Sequence, residues 1–243
     1  MDTPFLSLII PAYNEENRLP ATLDQVLNFL HRQSYTAEIL VVDNASTDRT
    51  PHIIADYARE WDIIHGIHEN QPGKGAAVRR GMFSSRGKYR FMCDADLSMP
   101  IQELNRFIPP HIDDVDIAIA TREAPESVRY HEPYYRHLGG RLMNLFIRLL
   151  VLPGLHDTQC GFKCFRAPVA EDLFSHLTLP GWSFDIEILT IARLRGYGIK
   201  EIPISWYFDE ESKVHAIRDA FQMLRDVLTI RKNKQQGIYA PQN

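Results

Sequence analysis

The chain has 243 residues, 44% hydrophobic and 24% charged, with a formal net charge of −4. This composition suits one large α/β domain with a full core, and its slight acidity argues against a general nucleic-acid binder, which is usually basic. Three cysteines, Cys93, Cys160 and Cys164, are too few for a disulfide scaffold and fit a reduced, cytoplasmic protein. The N-terminus lacks the basic region of a signal peptide. The longest apolar stretch, residues 142–155, is broken by Asn144, Arg148 and Pro153. It falls short of the roughly 20 apolar residues that span a bilayer.

The predicted elements alternate. Residues 6–11 form an apolar run that predicts a buried strand, and residues 19–33 carry Leu23, Val26, Leu27 and Leu30 at helical spacing. Residues 38–43 predict a second strand ending in Asp43, and a helix starts near Ser46-Thr47-Asp48 with Pro51 in its first turn. A weaker strand at 63–68, a helix at 73–85 and strands at 88–93 and 115–120 follow. Strand, helix and strand in this order imply a mostly parallel sheet with right-handed crossovers, flanked by helices. Beyond about residue 125 the pattern fades, so the chain reads as one domain over 1–243 with an irregular second half.

In such sheets ligands bind at the strands' carboxyl ends, and four loops there carry polar groups. They are Pro11-Ala12-Tyr13-Asn14-Glu15, Asp43-Asn44-Ala45-Ser46, Gly73-Lys74-Gly75 at a helix start, and Asp94-Ala95-Asp96 after the Phe91-Met92 run. Two carboxylates one residue apart repel each other unless a cation lies between them. A hard divalent ion such as Mg²⁺ or Mn²⁺ takes oxygen ligands and is commonly shared with a diphosphate. Backbone N–H groups at a helix start, with a lysine beside them, attract phosphate. Lys74 follows neither the Walker spacing nor the dinucleotide fingerprint.

These motifs resemble glycosyltransferase family 2, the inverting enzymes with the GT-A fold. The residues carrying the resemblance are Pro11 to Glu15, Val41-Val42-Asp43-Asn44-Ala45-Ser46, the run from Pro72 to Gly81, and Asp94-Ala95-Asp96. In the second half, Asp157-Thr-Gln-Cys-Gly-Phe-Lys163, Trp182-Ser-Phe-Asp185-Ile-Glu187, Glu201-Ile-Pro-Ile-Ser-Trp206 and Ser212-Lys213-Val214 are similar to the dolichyl-phosphate β-glucosyltransferase branch. The likeness covers nearly the whole chain. It implies a nucleotide-sugar-binding half over 1–123, and an acceptor-binding half with a C-terminal helix over 124–243. Pro11, Ala12, Tyr13, Glu15, Asp43, Ser46, Lys74, Gly75, Asp94 and Ala95 are then donor-site residues, and Asp94 and Asp96 ligate Mg²⁺ or Mn²⁺. Ser98 stands where mannose synthases commonly place a further Gln ligand, so water is expected in its place. The implied donor is a nucleoside-diphosphate sugar, UDP-glucose in the branch it most resembles, and the implied acceptor is a polyprenyl phosphate.

A lipid phosphate is already anionic and needs cations instead of a base. Arg122 and Arg136 resemble the acceptor-phosphate arginines of mannose synthases, with Arg129, Lys163 and Lys213 as further candidates. A hydroxyl acceptor would instead need Asp157 or Asp185 as general base. A non-catalytic sugar-nucleotide-binding protein is a third reading, weakened by the intact acid set. A sugar nucleotidyltransferase is excluded, because no Gly-rich loop follows the first strand. The apolar helix at 135–152 implies burial, a homodimer contact or a lipid surface. The helix at 216–232 has Ile217, Phe221, Leu224 and Leu228 on one face, read as core packing, and ends in Arg231-Lys232-Asn-Lys234. A peripheral protein at the cytoplasmic membrane face is the expectation. His156, Cys160 and Cys164 supply only three ligands and do not make a zinc site.

Overall fold

The computed structural model describes residues 3–131, 133–208 and 216–240. The first half runs β1 (Leu6–Ala12), α1 (Leu19–Leu30), β2 (Ala37–Asp43), α2 (Thr50–Glu60), β3 (Ile64–His68), α3 (Lys74–Ser84) and β4 (Tyr89–Met92). A 3₁₀ helix at Ile101–Phe107 leads to β5 (Ile117–Thr121), β6 (Val128–Tyr130) and α4 (Tyr134–Leu150). The chain ends with β7 (Lys163–Arg166), α5 (Ala167–Ser175), α6 (Phe184–Leu194), β8 (Ile199–Pro203), β9 (Ser205–Tyr207) and α7 (Ala216–Gln235).

The main sheet is ordered β3-β2-β1-β4-β7-β5-β8, and β6 pairs with β9 beside it. Successive residues of β1 serve opposite sides: Leu8 and Ile10 join the core under α1, and Ile9 joins the core under α3. Burial on both faces explains the unbroken apolar runs of β1 and β2. Phe91, Phe107 and Phe162 pack edge to face with centroids 4.6–5.6 Å apart, locking the 3₁₀ helix to the sheet.

One strand departs from the parallel pattern. β7 lies antiparallel between β4 and β5, with Met92 opposite Lys163. Its four residues, Lys-Cys-Phe-Arg, are too few to show a period. Because β7 runs backwards, the loop before it arrives at the edge where β4 ends. The 157–162 loop is thereby placed beside Asp94, and Gly161 permits the approach, since a Cβ there would lie 2.0 Å from Asp94 Oδ2.

The second half is more regular than the sequence suggests, because β7, α5, α6 and β8 continue the layers. The expected helix at 135–152 appears as α4, with Ile147 buried and Leu145 and Leu149 exposed. The reading of α7 needs correction. Phe221 and Leu228 face outward at 67% and 56% exposure, while Val227 and Ile230 form the buried face. Among the described residues, no helix is long and apolar enough to cross a membrane.

Candidate active site

The loops after β1 and β2 are stitched to each other. Asn14 and Ala45 adopt left-handed backbone, φ 53° and 55°. Asn14 N–H donates to Ser46 Oγ at 3.0 Å, Thr47 N–H to Asn14 Oδ1 at 2.8 Å, and Glu15 N–H to Thr50 Oγ1 at 2.8 Å. Glu15 is nearly buried and pairs with Arg18 at 2.8 Å. Tyr13 stays half exposed above the edge. Asp43 is buried; Oδ1 accepts from Ser46 N–H at 3.2 Å, and Oδ2 lies 2.8 Å from His68 Nδ1. Asn44 then reaches the third loop, donating to Gln71 O at 2.7 Å and accepting from Gly73 N–H at 2.8 Å. The result is a rigid, polar rim suited to a planar base and ribose.

α3 begins at the crevice with Lys74. Gly73 has φ 129°, and a Cβ there would meet Pro180 O at 2.2 Å, so only glycine fits this approach. Lys74 Nζ pairs with Asp94 Oδ1 at 2.5 Å and lies 5.3 Å from the Trp182 ring centroid. Desolvation alone would lower the Lys74 pKa, but Asp94, Asp185 and Asp96 outweigh it and hold it above the usual value.

Asp96 lies across the crevice with its outer edge open to solvent, and Oδ1 accepts from Ser98 N–H at 2.9 Å. Desolvation by the crevice walls, then the Asp94 charge, push its carboxyl above the usual range, against Ser98, Lys74 and Arg18. Added positive charge beside such an acid would favour its ionised form. Hard carboxylate oxygens at Asp94 and Asp96 fit Mg²⁺ or Mn²⁺, which keeps most of its sites for water and phosphate. Ala95 is buried between them, its carbonyl accepting from Thr22 Oγ1 at 2.5 Å. Pro11 and Ala12 end β1 beneath the rim, and Gly75 packs against Phe184.

The acids of the second half are differently placed. Asp157 is fully buried. Its Oδ2 accepts from Arg122 Nε at 2.6 Å and Arg122 N–H at 3.0 Å, and its Oδ1 from the Arg122 terminal nitrogen at 3.0 Å. Enclosure would raise its pKa, but Arg122 overcomes that and, with Lys163, holds the carboxyl below the usual range. Asp157 therefore fails the geometry of a general base, because both oxygens are committed to Arg122. Arg122 lies 5.4 Å from the Trp206 ring centroid, and Arg129 lies 6.0 Å from it. Arg129 also donates to Arg122 O at 3.1 Å and pairs with Glu123 at 2.5 Å.

Lys163 is enclosed, donating to Cys160 O and to Asp185 Oδ1, each at 2.5 Å. A fully buried ammonium cannot meet an acceptor phosphate, so Lys163 serves Asp185 instead. Asp185 is buried and raised above the usual range, mostly by desolvation, against Lys163 and Lys74. Lys213 and the side chain of Arg136 lie outside the described residues.

The sequence motif that begins at Glu201 assigns it no role; its carboxylate accepts from His156 N–H at 2.9 Å and Asp157 N–H at 3.0 Å, fixing the loop that holds Arg122. Trp206 stacks on Arg122 and Arg129, and Trp182 meets Lys74. His156 is drawn to Glu201 at 2.8 Å, and the described residues include no cluster of three metal-ligating side chains.

Comparison with known proteins agrees with this geometry. The family model for glycosyl transferase family 2 matches residues 7–174. The chain is 34% identical over 245 residues to dolichyl-phosphate beta-glucosyltransferase of Homo sapiens, covering 94% of this chain and 75% of that protein. It is 33% identical over 256 residues to the Saccharomyces cerevisiae protein of the same name, covering 97% and 76%. Among solved structures, glucosyl-3-phosphoglycerate synthase of Mycobacterium tuberculosis, in complex with Mn²⁺, UDP-glucose and phosphoglyceric acid, superposes with a TM-score of 0.67. That match is 17% identical and covers 94% of this chain and 80% of the other. The chain belongs to glycosyl transferase family 2 and is a glycosyltransferase with the GT-A fold.

Proposed function

We propose that this enzyme transfers glucose from UDP-glucose to a dolichyl or other polyprenyl phosphate, with inversion and with Mg²⁺ or Mn²⁺ bound at Asp94 and Asp96. The observation that carries the acceptor assignment is Arg122, aimed by the buried Asp157 and backed by Trp206. A guanidinium held this firmly suits an oxygen-rich anion. The similarity to dolichyl-phosphate beta-glucosyltransferases over most of the chain supports the same reading.

The chemistry follows from the groups present. The rim at Tyr13, Glu15, Asp43 and Ser46 receives the nucleoside. Lys74 leaves its pairing with Asp94 free to turn toward the diphosphate as negative charge builds there. The divalent ion, when bound, neutralises the departing diphosphate. Arg122, with Arg129 behind it, holds the acceptor phosphate in line with the anomeric carbon from the opposite face. Attack by a phosphate oxygen inverts the anomer, and no base is needed, because the nucleophile is already ionised.

The test offers a panel of radiolabelled sugar nucleotides with polyprenyl phosphate. Label from UDP-glucose is expected in the organic phase, in β configuration, and EDTA is expected to stop the transfer. Label found only on a water-soluble hydroxyl acceptor would replace this reading with the second one. In that second reading the base would be Asp185, once released from Lys163, because Asp157 is committed to Arg122.

We also propose contact with a membrane surface, at the cytoplasmic face. Leu145 and Leu149 on α4 and Phe221 and Leu228 on α7 are exposed, and α7 ends in Arg231, Lys232 and Lys234. Apolar side chains beside a basic end suit anionic headgroups. Co-sedimentation with anionic vesicles is the expected result; a homodimer in solution with no vesicle binding would reassign the surface.

A further inference from the structure

Beside the crevice lies a groove that none of these roles uses. Its volume is about 320 Å³, and it is lined by residues 179–183 of the loop before α6 and by Gln222, Met223 and Asp226 of α7. Its walls adjoin both halves of the active site. Trp182 approaches Lys74 at 5.3 Å from its ring centroid, and Gln159, two residues from Asp157, places its Nε2 3.4 Å from Met223 Sδ.

The groove presents little to a polar ligand. Asp226, its one acid, is nine-tenths buried, and its oxygens accept from Ser183 Oγ at 2.6 Å and Gln222 Nε2 at 2.9 Å. Both Asp226 oxygens are therefore engaged within the wall. The rest of the lining is Leu179, Pro180, Gly181, Trp182 and Met223, with the exposed Gln222 at its rim.

The walls are also fixed. Glu187, fully buried, accepts from Thr178 N–H at 3.1 Å, Leu179 N–H at 2.8 Å and the Tyr239 hydroxyl at 2.7 Å. Pro180 O accepts from Ala76 N–H at 3.0 Å, tying the same loop to α3. A preformed apolar slot costs little ordering when it fills, and its size is at the small end of ligand pockets, which run from about 300 Å³.

We propose that this groove receives the first isoprene units of the acceptor, next to its phosphate. The inference rests on the polyprenyl-phosphate reading above and adds where the tail leaves the crevice. A sugar would find its hydroxyls unpaired there, whereas a branched hydrocarbon buries apolar surface against Trp182 and Met223.

The experiment measures KM for prenyl phosphates of one to four isoprene units, with M223L, M223E and M223W beside the unsubstituted enzyme. In the unsubstituted enzyme and M223L, KM is expected to fall as the first units are added. M223E places a charge in the slot and M223W fills it. Both are expected to remove that gain, raising KM for the longer acceptors about tenfold, with UDP affinity unchanged. M223W decides the matter if M223E does not fold. Unaltered length dependence in these variants would overturn the groove assignment alone. A shift confined to the KM for UDP-glucose would assign the groove to the donor sugar and overturn it likewise. If the unsubstituted enzyme glucosylates no prenyl phosphate, the acceptor reading and the groove's occupant fall together.

Discussion

In the N-terminal half, Asp94 and Asp96 stand at an open edge of the sheet, and the carboxyl of Asp96 is held above its ordinary range by desolvation and by its neighbour's charge. In the C-terminal half, Asp157 is sealed from solvent and held below that range by Arg122. The same residue type thus serves two ends. An acid beside a second carboxylate at an open edge is placed to take a cation from outside. A buried acid already met by a part-exposed guanidinium orients that guanidinium and has no oxygen left for proton transfer. Desolvation acts on both, and the partner decides the sign.

The largest effect should come from the open pair. Asp96→Asn is expected to lower kcat on the order of 10³-fold in a transfer assay, since a ligand to the ion at the leaving group is lost. The same variant should melt at or above the temperature of the unsubstituted protein, because an unfavourable charge is removed. A lower melting temperature would show that Asp96 is satisfied within the fold, contrary to the comparison. Next is Asp157→Asn, which leaves Arg122 without its counter-charge. It should cost about 3 kcal/mol in denaturant unfolding and weaken acceptor use more than donor use. Gly161→Ala forces a Cβ against Asp94; transfer is expected to drop about 10²-fold, through displacement of the carboxylate. The smallest is Tyr239→Phe, which removes the hydroxyl from buried Glu187 and should cost about 1 kcal/mol in thermal unfolding.

The two acids also give opposite pH signatures. Asp157 has a depressed folded pKa. Its contribution to stability is present above the unfolded value, about 3.9, and is lost as pH falls through the folded value. Asp96 has a raised folded pKa. The native state then binds the extra proton, so stability falls as pH rises from about 3.9 through the folded value. Unfolding of Asp157→Asn and Asp96→Asn across acid pH, compared with the unsubstituted chain, should resolve these opposite slopes.

Much of the donor half was legible because its strands are long apolar runs ending in polar residues, as at Val41-Val42-Asp43 and Phe91-Met92. The position of the 157–162 loop was not legible, since β7 is four residues long and its reversed direction leaves no periodic mark. Lys163 shows the consequence. In sequence it is a lysine in a motif, and only the sheet reveals that it is enclosed behind Asp185. Phe221 and Leu228 were misassigned because an amphipathic pattern fixes a helix face but not which neighbour covers it, and α7 buries Val227 and Ile230 instead. The role of Glu201, named only within a motif, was not legible because its partners are backbone N–H groups 44 and 45 positions away.

The central claim is that Asp94 and Asp96 hold a divalent cation together with the donor's diphosphate. Calorimetric titration of UDP with and without Mn²⁺ tests it most directly, on the unsubstituted protein and Asp96→Asn. The account expects Mn²⁺ to tighten UDP binding at least tenfold in the first and to leave it unchanged in the second. Equal tightening in both, or none in the unsubstituted protein, would contradict it.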